Sequence, residues 1–328
     1  MSPSNALQRP DLGASLEEYD VLADRAGYIA DKVAPSIDVA QQTANIGRLP
    51  LEALLFQRNT KRAPGSPYSR GNYKFEDFSY ATAENGTEET VDDRLAKIYR
   101  RYIDAEQVAT KRAQGVILRN REGRVASMLF NTGTWTGPTL TTGVTNEWDD
   151  FTAATPFADV QAAVLKVFNA TGLSCNALIL NSEVFKNLVQ CQDIITRAVD
   201  LGLIQTRNEL DNLTAQMIAR LLFPDVPDAM IVVAGGVKNG ANTGQTASPA
   251  RIWNGEYAMV ARIARSNDPQ EPCVARSFHY TEDGSSLDGT VETYREESIR
   301  GDVVRVRHET AEVVMYKEAA HLLSNITT

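Results

Sequence analysis

The sequence predicts an α+β fold with a mixed central region. Apolar residues recur every three or four positions over residues 92–114, which is the period of a helix with one buried face. Short apolar runs at 177–180 and 230–234 stand beside helical patterns, as the buried strands of a mixed domain do. From residue 274 onward the pattern is β, because apolar and polar side chains alternate. The clearest alternation is Val304, Arg305, Val306, Arg307 and His308.

Composition places the chain among globular proteins. Of its 328 residues, 43% are hydrophobic and 23% are charged, and no apolar run is long enough to span a membrane. The N-terminus lacks the apolar core of a secretory signal, so we expect no membrane association. The formal net charge of −9 disfavours polyanion binding by the protein as a whole. Three widely spaced cysteines argue against disulfides and for a reducing compartment: Cys175, Cys191 and Cys273.

The N-terminal region, residues 1–47, is acidic and only weakly periodic. Seven carboxylates stand against three basic residues, and a modest helical pattern between Leu16 and Ile29 is interrupted at Pro35. We interpret this region as an arm rather than as part of a core.

Residues 43–80 predict an extended hairpin. A mildly apolar run at 43–56 and alternating aromatic residues at 73–80 flank a tip rich in Gly and Pro. A hairpin alone is marginally stable in water, so this one needs a surface to lie on. From Ala53 to Phe75 there is no carboxylate, whereas residues 76–93 carry seven carboxylates and no Lys or Arg. A positive tip therefore adjoins a negative block.

The helix predicted at 92–114 begins at Asp92 or Asp93, where acids suit the positive end of the helix dipole. Its apolar face consists of Leu95, Ile98, Tyr99, Tyr102, Ala105, Ala109 and Val116. Its basic face consists of Arg94, Lys97, Arg100, Arg101, Lys111 and Arg112. Further helices are predicted from Pro156 to Gly172, at 182–189, at 213–222 and at 319–323.

No catalytic, cofactor or metal site is predicted. Three scattered histidines lack metal-ligand spacing, the paired carboxylates are adjacent and so do not face one another, and Cys191 has no histidine nearby. Residues 235–240 follow a strand, but no helix pattern follows them to complete a phosphate site. Two alternatives stay open from the residues alone. One is a cytosolic α/β enzyme with its site in residues 150–265, and the other is a nucleic-acid-binding protein using the basic helix at 94–112.

Several segments together resemble one family. They are the arm followed by Lys-Arg-Ala-Pro-Gly at 61–65 and Gly-Asn-Tyr at 71–73, the helix at 92–114, the strand and helix at 176–188, the strand at 230–234 with Ile-Trp-Asn-Gly at 252–255, and the run 294–307 leading to Ala-His-Leu-Leu at 320–323. In order and spacing they are similar to segments of the major capsid proteins of tailed bacteriophages, whose fold herpesvirus shells share. The resemblance covers most of residues 30–326.

The resemblance implies a Hong Kong 97-like fold. Its parts would be an N-terminal arm (1–40), an extended loop (41–83), a peripheral domain with a spine helix (84–150 and 266–328) and an axial domain (151–265). It also implies a non-enzymatic major capsid protein without cofactors, whose pentamers and hexamers form an icosahedral shell around phage double-stranded DNA. The implied partners are further copies of the chain, a portal, scaffolding or decoration proteins, and DNA through nonspecific interior contacts. The implied location is the virion, with the host cytoplasm during assembly.

In such a shell we expect the extended-loop tip to contact a neighbouring subunit. The tip residues are Arg58, Lys61, Arg62, Tyr68, Arg70, Tyr73 and Lys74. The candidate acidic partners are Glu84, Glu88, Glu89, Asp92 and Asp93. Some members of the family cross-link a loop lysine to an asparagine, for which Lys61 or Lys74 would serve here. The sequence locates no partner asparagine or activating glutamate, so we expect no cross-link.

Overall fold

Two β-sheets with helices packed on them organise the structure, a computed structural model of the protein. It describes residues 7–8, 27–51, 55–71, 75–99, 104–204, 213–242 and 244–327. Helices and strands alternate irregularly, and both sheets mix parallel and antiparallel pairs. The predicted α+β class is confirmed.

The first sheet is built around one long strand. Its strands are β1 (Leu7–Gln8), β2 (Ser36–Val39), β5 (Ala83–Asp92), β12 (Ala275–Tyr280), β13 (Thr290–Glu296) and β14 (Gly301–Val314). The order is β1-β13-β14-β12-β2, and β5 pairs antiparallel with β14 from Gly301↔Asp92 to Thr310↔Ala83. The β14 strand therefore joins the acidic block of the sequence to the C-terminal β region.

One face of the first sheet is covered by two helices. Helix α2 spans Asp93–Tyr99 and helix α3 spans Ala105–Leu129. Asp104 caps α3, because its Oδ1 accepts hydrogen bonds from the Glu106 and Gln107 amides. The core between α3 and the sheet consists of Val91, Ala109, Ala113, Ile117, Val291, Val304 and Val306.

The predicted helix at 92–114 starts at the correct residue, but it is not one helix, because Asp104 is extended and begins α3 as a separate helix. Its predicted end is also too early. Helix α3 continues to Leu129 because its buried face continues, and that face includes two charged residues, Arg121 and Glu122. Because these charged residues belong to a buried ion-pair network, they interrupt the pattern of apolar residues that predicts a buried helix face. Leu95 and Ile98 were predicted to lie on the buried face of the helix. That prediction is wrong, because they are 55% and 57% exposed. Arg100, Arg101 and Tyr102 lie outside the described residues.

The second sheet has five strands in the order β6-β15-β11-β7-β8. They are β6 (Thr141–Gly143), β7 (Ala177–Asn181), β8 (Met230–Ala234), β11 (Tyr257–Ala261) and β15 (Ala320–Ser324). Around it lie α4 (Pro156–Thr171), α5 (Ser182–Gln190), α6 (Gln192–Asp200) and α7 (Ala215–Leu222). The predicted strands at 177–180 and 230–234 are confirmed.

The predicted helix at 319–323 is wrong. Lys317–Ala319 forms a short 3-10 turn, and Ala320–Ser324 is a strand between β6 and β11. Leu322 packs into one core and Leu323 into another, on opposite faces of the sheet. Consecutive apolar residues reach opposite faces in a strand but not in a helix. Residues 320–324 thus lie inside the second sheet. The proposed domain boundaries stay predictions.

Hydrogen bonds and backbone conformations within a few residues explain several of the predicted helix ends. Asn181 Oδ1 accepts from the Glu183 amide at 2.9 Å and from the Val184 amide at 2.8 Å, which starts α5. Helix α4 begins with Pro156 and ends before Gly172, whose φ of +70° favours glycine. After Gly235 and Gly236, strands β9 (Val237–Asn239) and β10 (Pro249–Arg251) form a hairpin. No helix N-terminus follows these glycines, so they lack the geometry of a phosphate loop.

His308 makes subunit stability depend on pH. Burial lowers the pKa of His308 from 6.5 to about 4, with Arg124 and Arg121 adding to the shift, while the Leu287 carbonyl and Glu312 oppose it. The folded state holds this imidazole neutral, whereas the unfolded state takes up a proton below pH 6.5. Stability from His308 is therefore full above pH 6.5 and falls by about 3 kcal/mol as the pH drops to about 4.

Urea unfolding of the subunit between pH 7 and pH 4 measures this effect. We expect His308→Gln to flatten the pH dependence over that range, because the glutamine does not titrate. An identical slope in the variant and in the original chain would contradict the assignment.

Candidate assembly interface

The predicted extended hairpin is confirmed at its base. Strands β3 (Thr43–Arg48) and β4 (Glu76–Ala81) pair antiparallel, from Thr43↔Ala81 to Arg48↔Glu76. The sequence interpretation left this hairpin without a core in its own chain, and for the base that is wrong. The ring of Tyr80 stacks on Phe278 of β12, with centroids 4.4 Å apart and planes 10° apart. The hairpin base thus packs on its own subunit.

Arg48 fixes the hairpin base to the end of β14. Its guanidinium lies 5.7 Å from the centre of the Phe78 ring and 5.1 Å from that of Tyr316, so it is held between two aromatic faces. Its Nε donates to Glu76 Oε2 at 2.9 Å. The Tyr316 hydroxyl donates to the Leu49 carbonyl at 3.0 Å. Leu51 still packs in the core beneath this anchor, and the described residues from 55 to 71 are exposed.

The tip of the extended loop, residues 55–71, is exposed throughout. Arg62 Nε donates to the Ser66 carbonyl at 2.6 Å, and the Arg62 guanidinium lies 4.6 Å from the centre of the Tyr68 ring. Tyr68 is nevertheless 70% exposed. These contacts are local to the tip and hold its shape. Tyr73 and Lys74, also predicted as tip contacts, lie outside the described residues.

The positive charge of the tip has little compensation inside the subunit. No Asp or Glu occurs between residues 55 and 71. Among the described residues, neither Lys61 nor Arg70 forms an ion pair with a carboxylate. Arg58 lies over the Phe56 ring, 5.9 Å from its centre. The tip therefore presents cations and aromatic surface to solvent.

Two of the five predicted acidic partners lie on the open face of the first sheet, opposite α3. On β5, Glu88 Oε1 is 2.7 Å from Arg305 Nη2, and Glu84 Oε1 is 3.9 Å from Arg307 Nε. These arginines also pair with Glu292 and Asp283. Two arginines thus face four carboxylates, which leaves an excess of negative charge on this face.

The electrostatics of the open face follow from these pairs. Hydrogen bonding to Glu88 raises the pKa of Arg305, against the opposing effect of burial. Burial would raise the pKa of Asp283, but hydrogen bonds from the Ser285 amide and from Arg307 outweigh it, and the pKa is lowered. The carboxylate stays ionised at neutral pH, so the negative excess persists there.

The other three predicted acids lie elsewhere. Glu89 points toward α3, where its Oε1 is 3.6 Å from Arg112. Asp92 caps α2 by accepting from the Arg94 amide at 2.8 Å. Asp93 accepts two hydrogen bonds of 2.7 Å from Arg295 on β13. The structure therefore does not gather the five acids into one patch, because strand β5 divides them between its two faces.

The arginines of the open face were not recognised from the sequence as partners of the acidic block. The alternation at 304–308 placed Arg305 and Arg307 on a solvent face. Their pairing with β5 depends on strands far apart in the chain, and composition gives no signal for it.

The described residues offer no clear catalytic arrangement. His279 Nδ1 lies 3.0 Å from Asp38 Oδ1, and His279 Nε2 lies 3.4 Å from Ser285 Oγ. An Asp–His–Ser order of this kind is also found in catalytic triads. However, Ser285 Oγ donates its hydrogen to the Tyr280 carbonyl at 2.8 Å, and the side chain is buried. Burial also raises the pKa of the Cys191 thiol to about 12, with nearby carboxylates adding to the shift. These groups are held as structural contacts.

Neither a metal-binding cluster nor a membrane-spanning helix occurs within the described residues. No group of three or more His, Cys, Asp or Glu side chains there could hold a metal ion. Among the helices of the described ranges, none is both long enough and apolar enough to cross a membrane.

Comparison with known proteins gives matches in structure. No protein-family model and no curated protein sequence matches the chain. A phage-related protein from Bordetella bronchiseptica is similar over 98% of this chain and 98% of its own, with 19% identity and a TM-score of 0.70. The mature capsid of bacteriophage PhiM1 matches 88% of this chain and 85% of its own, at 12% identity and a TM-score of 0.56.

A third solved structure comes from an archaeon. A virus-like particle from Pyrococcus furiosus matches 96% of this chain and 97% of its own, at 13% identity and a TM-score of 0.54. Together the likenesses show the fold. The chain has the tailed-phage major capsid fold that the sequence resemblance implied.

Proposed function

We propose that this chain is the major capsid protein of a tailed phage. Copies would form pentamers and hexamers that close into an icosahedral shell around double-stranded DNA. The observation that carries the proposal is the fold shared with the PhiM1 mature capsid over 88% of this chain and 85% of that one. The role is structural, with no enzymatic step, and the protein would reside in the virion after assembly in the host cytoplasm. A portal, scaffolding or decoration proteins, and packaged DNA are the proposed further partners.

The extended-loop tip is the proposed contact between copies. Its cations and exposed Tyr68 would lie on the open face of a neighbour's first sheet, where carboxylates outnumber arginines. Glu84 and Glu88 are the predicted acids that this arrangement uses. Each exposed ion pair contributes only about 0–1 kcal/mol, but every subunit contact in a shell repeats the set.

Negative-stain electron microscopy of the expressed full chain tests the proposed function. We expect closed particles of megadalton mass. A uniform low-order oligomer that binds a small ligand would favour the α/β enzyme. Steep, salt-dependent DNA binding by single subunits, without particles, would favour the nucleic-acid-binding alternative.

A further inference from the structure

A buried carboxylate, Glu122 on α3, joins three separate parts of the chain. Its Oε1 accepts from the Ile29 amide at 2.9 Å and from Trp253 Nε1 at 2.5 Å. Its Oε2 accepts from the Ala30 amide at 2.8 Å. Glu122 is 1% exposed. Since water does not reach the carboxylate, these three donors replace the hydrogen bonds that water would otherwise make to it.

The donors come from elements that are distant in sequence. Ile29 and Ala30 begin the short helix α1 (Ala30–Val33), at the end of the acidic arm. Trp253 lies in the turn that leads from β10 to β11 of the second sheet, and its ring meets Phe130 edge-on at 4.9 Å. Glu122 itself belongs to the helix that covers the first sheet. The carboxylate is therefore shared by the arm, the first sheet's helix and the second sheet.

The preceding residue of α3 strengthens the arm side of this junction. Arg121 Nη1 lies 2.7 Å from Asp31 Oδ1, and Arg121 Nη2 donates to Ser277 Oγ at 3.3 Å. Ser277 Oγ in turn donates to the Ala34 carbonyl at 3.0 Å. One turn of α3 thus holds residues 29–31 of arm segment 27–34 directly, and Ser277 of β12 links Arg121 to the Ala34 end. On the second-sheet side, the Gly235 amide donates to the Gly27 carbonyl at 2.8 Å.

We propose that Glu122 is a coupling residue between the docking of arm segment 27–34 and the position of the Trp253 turn on α3. A buried charge that loses one of three donors is poorly solvated, so each donor makes the others' positions more favourable. The coupling is reciprocal: displacing the turn weakens the arm contact, and displacing the arm weakens the turn contact by the same factor. A partner that pulls on the arm would then act on the second sheet. The inference does not depend on shell assembly.

Hydrogen exchange of single amides in the folded subunit tests the coupling. Trp253→Phe removes the indole donor on the second sheet and alters nothing in the arm. We expect the Ile29 and Ala30 amides to exchange about tenfold faster in this variant, since hydrogen bonds to a charged group are among the stronger ones. The amide of Ile179 in β7 reports global opening and should not change. Glu122→Gln should also accelerate both arm amides.

The matched control is Trp148→Phe. Trp148 is another buried tryptophan whose Nε1 donates to a carboxylate, Asp159 Oδ2, at 3.1 Å, but that pair lies in the second-sheet region away from the arm. Its variant should leave the Ile29 and Ala30 amides as they were. Equal acceleration in both tryptophan variants would mean general loosening and would overturn the coupling. Unchanged arm amides in Trp253→Phe would overturn it as well.

A reciprocal variant keeps the proposal testable if Trp253→Phe does not fold. Asp31 is exposed and pairs with Arg121, so Asp31→Asn loosens the arm from outside the core. We expect the Trp253 indole hydrogen to exchange several-fold faster in that variant. Asp228→Asn is its control, because Asp228 pairs with Arg265 at the same distance of 2.7 Å but far from the junction. No change at Trp253 in Asp31→Asn would overturn the inference.

Discussion

Reversing the charge of the extended-loop tip is expected to block shell formation at moderate salt while leaving the subunit folded. The change is Arg58, Lys61, Arg62 and Arg70 to Glu. It would place four carboxylates against a sheet face that already carries excess negative charge. Because the tip is exposed and packs on little of its own subunit, the folded state should tolerate the substitutions. Sedimentation velocity and electron microscopy would report the fraction of subunits in particles.

A control variant separates the tip from charge in general. Lys186, Arg220, Lys238 and Lys317 are exposed basic residues outside the tip, and their change to Glu shifts the net charge by the same amount. We expect that variant to keep more of its particles than the tip variant, because its added carboxylates lie away from the proposed contact. Added salt should also weaken assembly of the original chain, since exposed ion pairs are screened. An unchanged particle yield in the tip variant would refute the proposed contact.

Glu312→Ala is expected to lower the free energy of unfolding of the subunit clearly. The Glu312 side chain is 6% exposed and accepts hydrogen bonds from Arg124 Nε at 2.8 Å and Arg124 Nη2 at 2.9 Å, with Arg121 Nε 3.7 Å away. Burial raises the pKa of Glu312, but the arginines and Thr310 outweigh that effect, so its pKa is lowered. The substitution removes the carboxylate partner of Arg124 and one of the two carboxylate partners of the buried Arg121, which keeps Asp31, and the lost hydrogen bonds cost about 1–3 kcal/mol.

Urea unfolding of subunits measures this loss as a shift in the free energy of unfolding. Glu297→Ala is the control, because Glu297 is an exposed carboxylate that lies 3.4 Å from Arg295 and should contribute less than about 1 kcal/mol. A loss below about 1 kcal/mol in Glu312→Ala would contradict the role assigned to the ion pair.

Features encoded by neighbouring residues could be predicted from the sequence. The cap at Asn181, the start of α4 at Pro156 and its end before Gly172 depend on contacts within a few residues. The one-sided burial of β14 follows from its alternation. The end of α3 was missed because Arg121 and Glu122 are polar yet buried. What buries them is supplied by residues far along the chain, such as Asp31, Glu312 and Trp253.

The candidate interface, too, was predicted from the sequence only where it depends on neighbouring residues. The tip was recognised because its lack of carboxylates and its Gly and Pro content are local properties of residues 53–75. Its acidic partners were only partly identified, because a block of charge in sequence becomes two faces once β5 forms. Glu88 and Glu89 are neighbours in sequence, yet one meets Arg305 and the other Arg112, on opposite sides of the sheet. Strand pairing, not composition, decides which acids a neighbour could reach.

The place of β15 in the second sheet affects how the chain folds during synthesis. β15 lies between β6 and β11, and β6 pairs with no other strand of the described sheet. Until the ribosome has made residues 320–324, β11 keeps an unpaired edge. At about 5–20 residues per second, this half-built sheet persists for several seconds after β11 emerges. A nascent chain is therefore exposed to edge-to-edge aggregation until its last strand is in place.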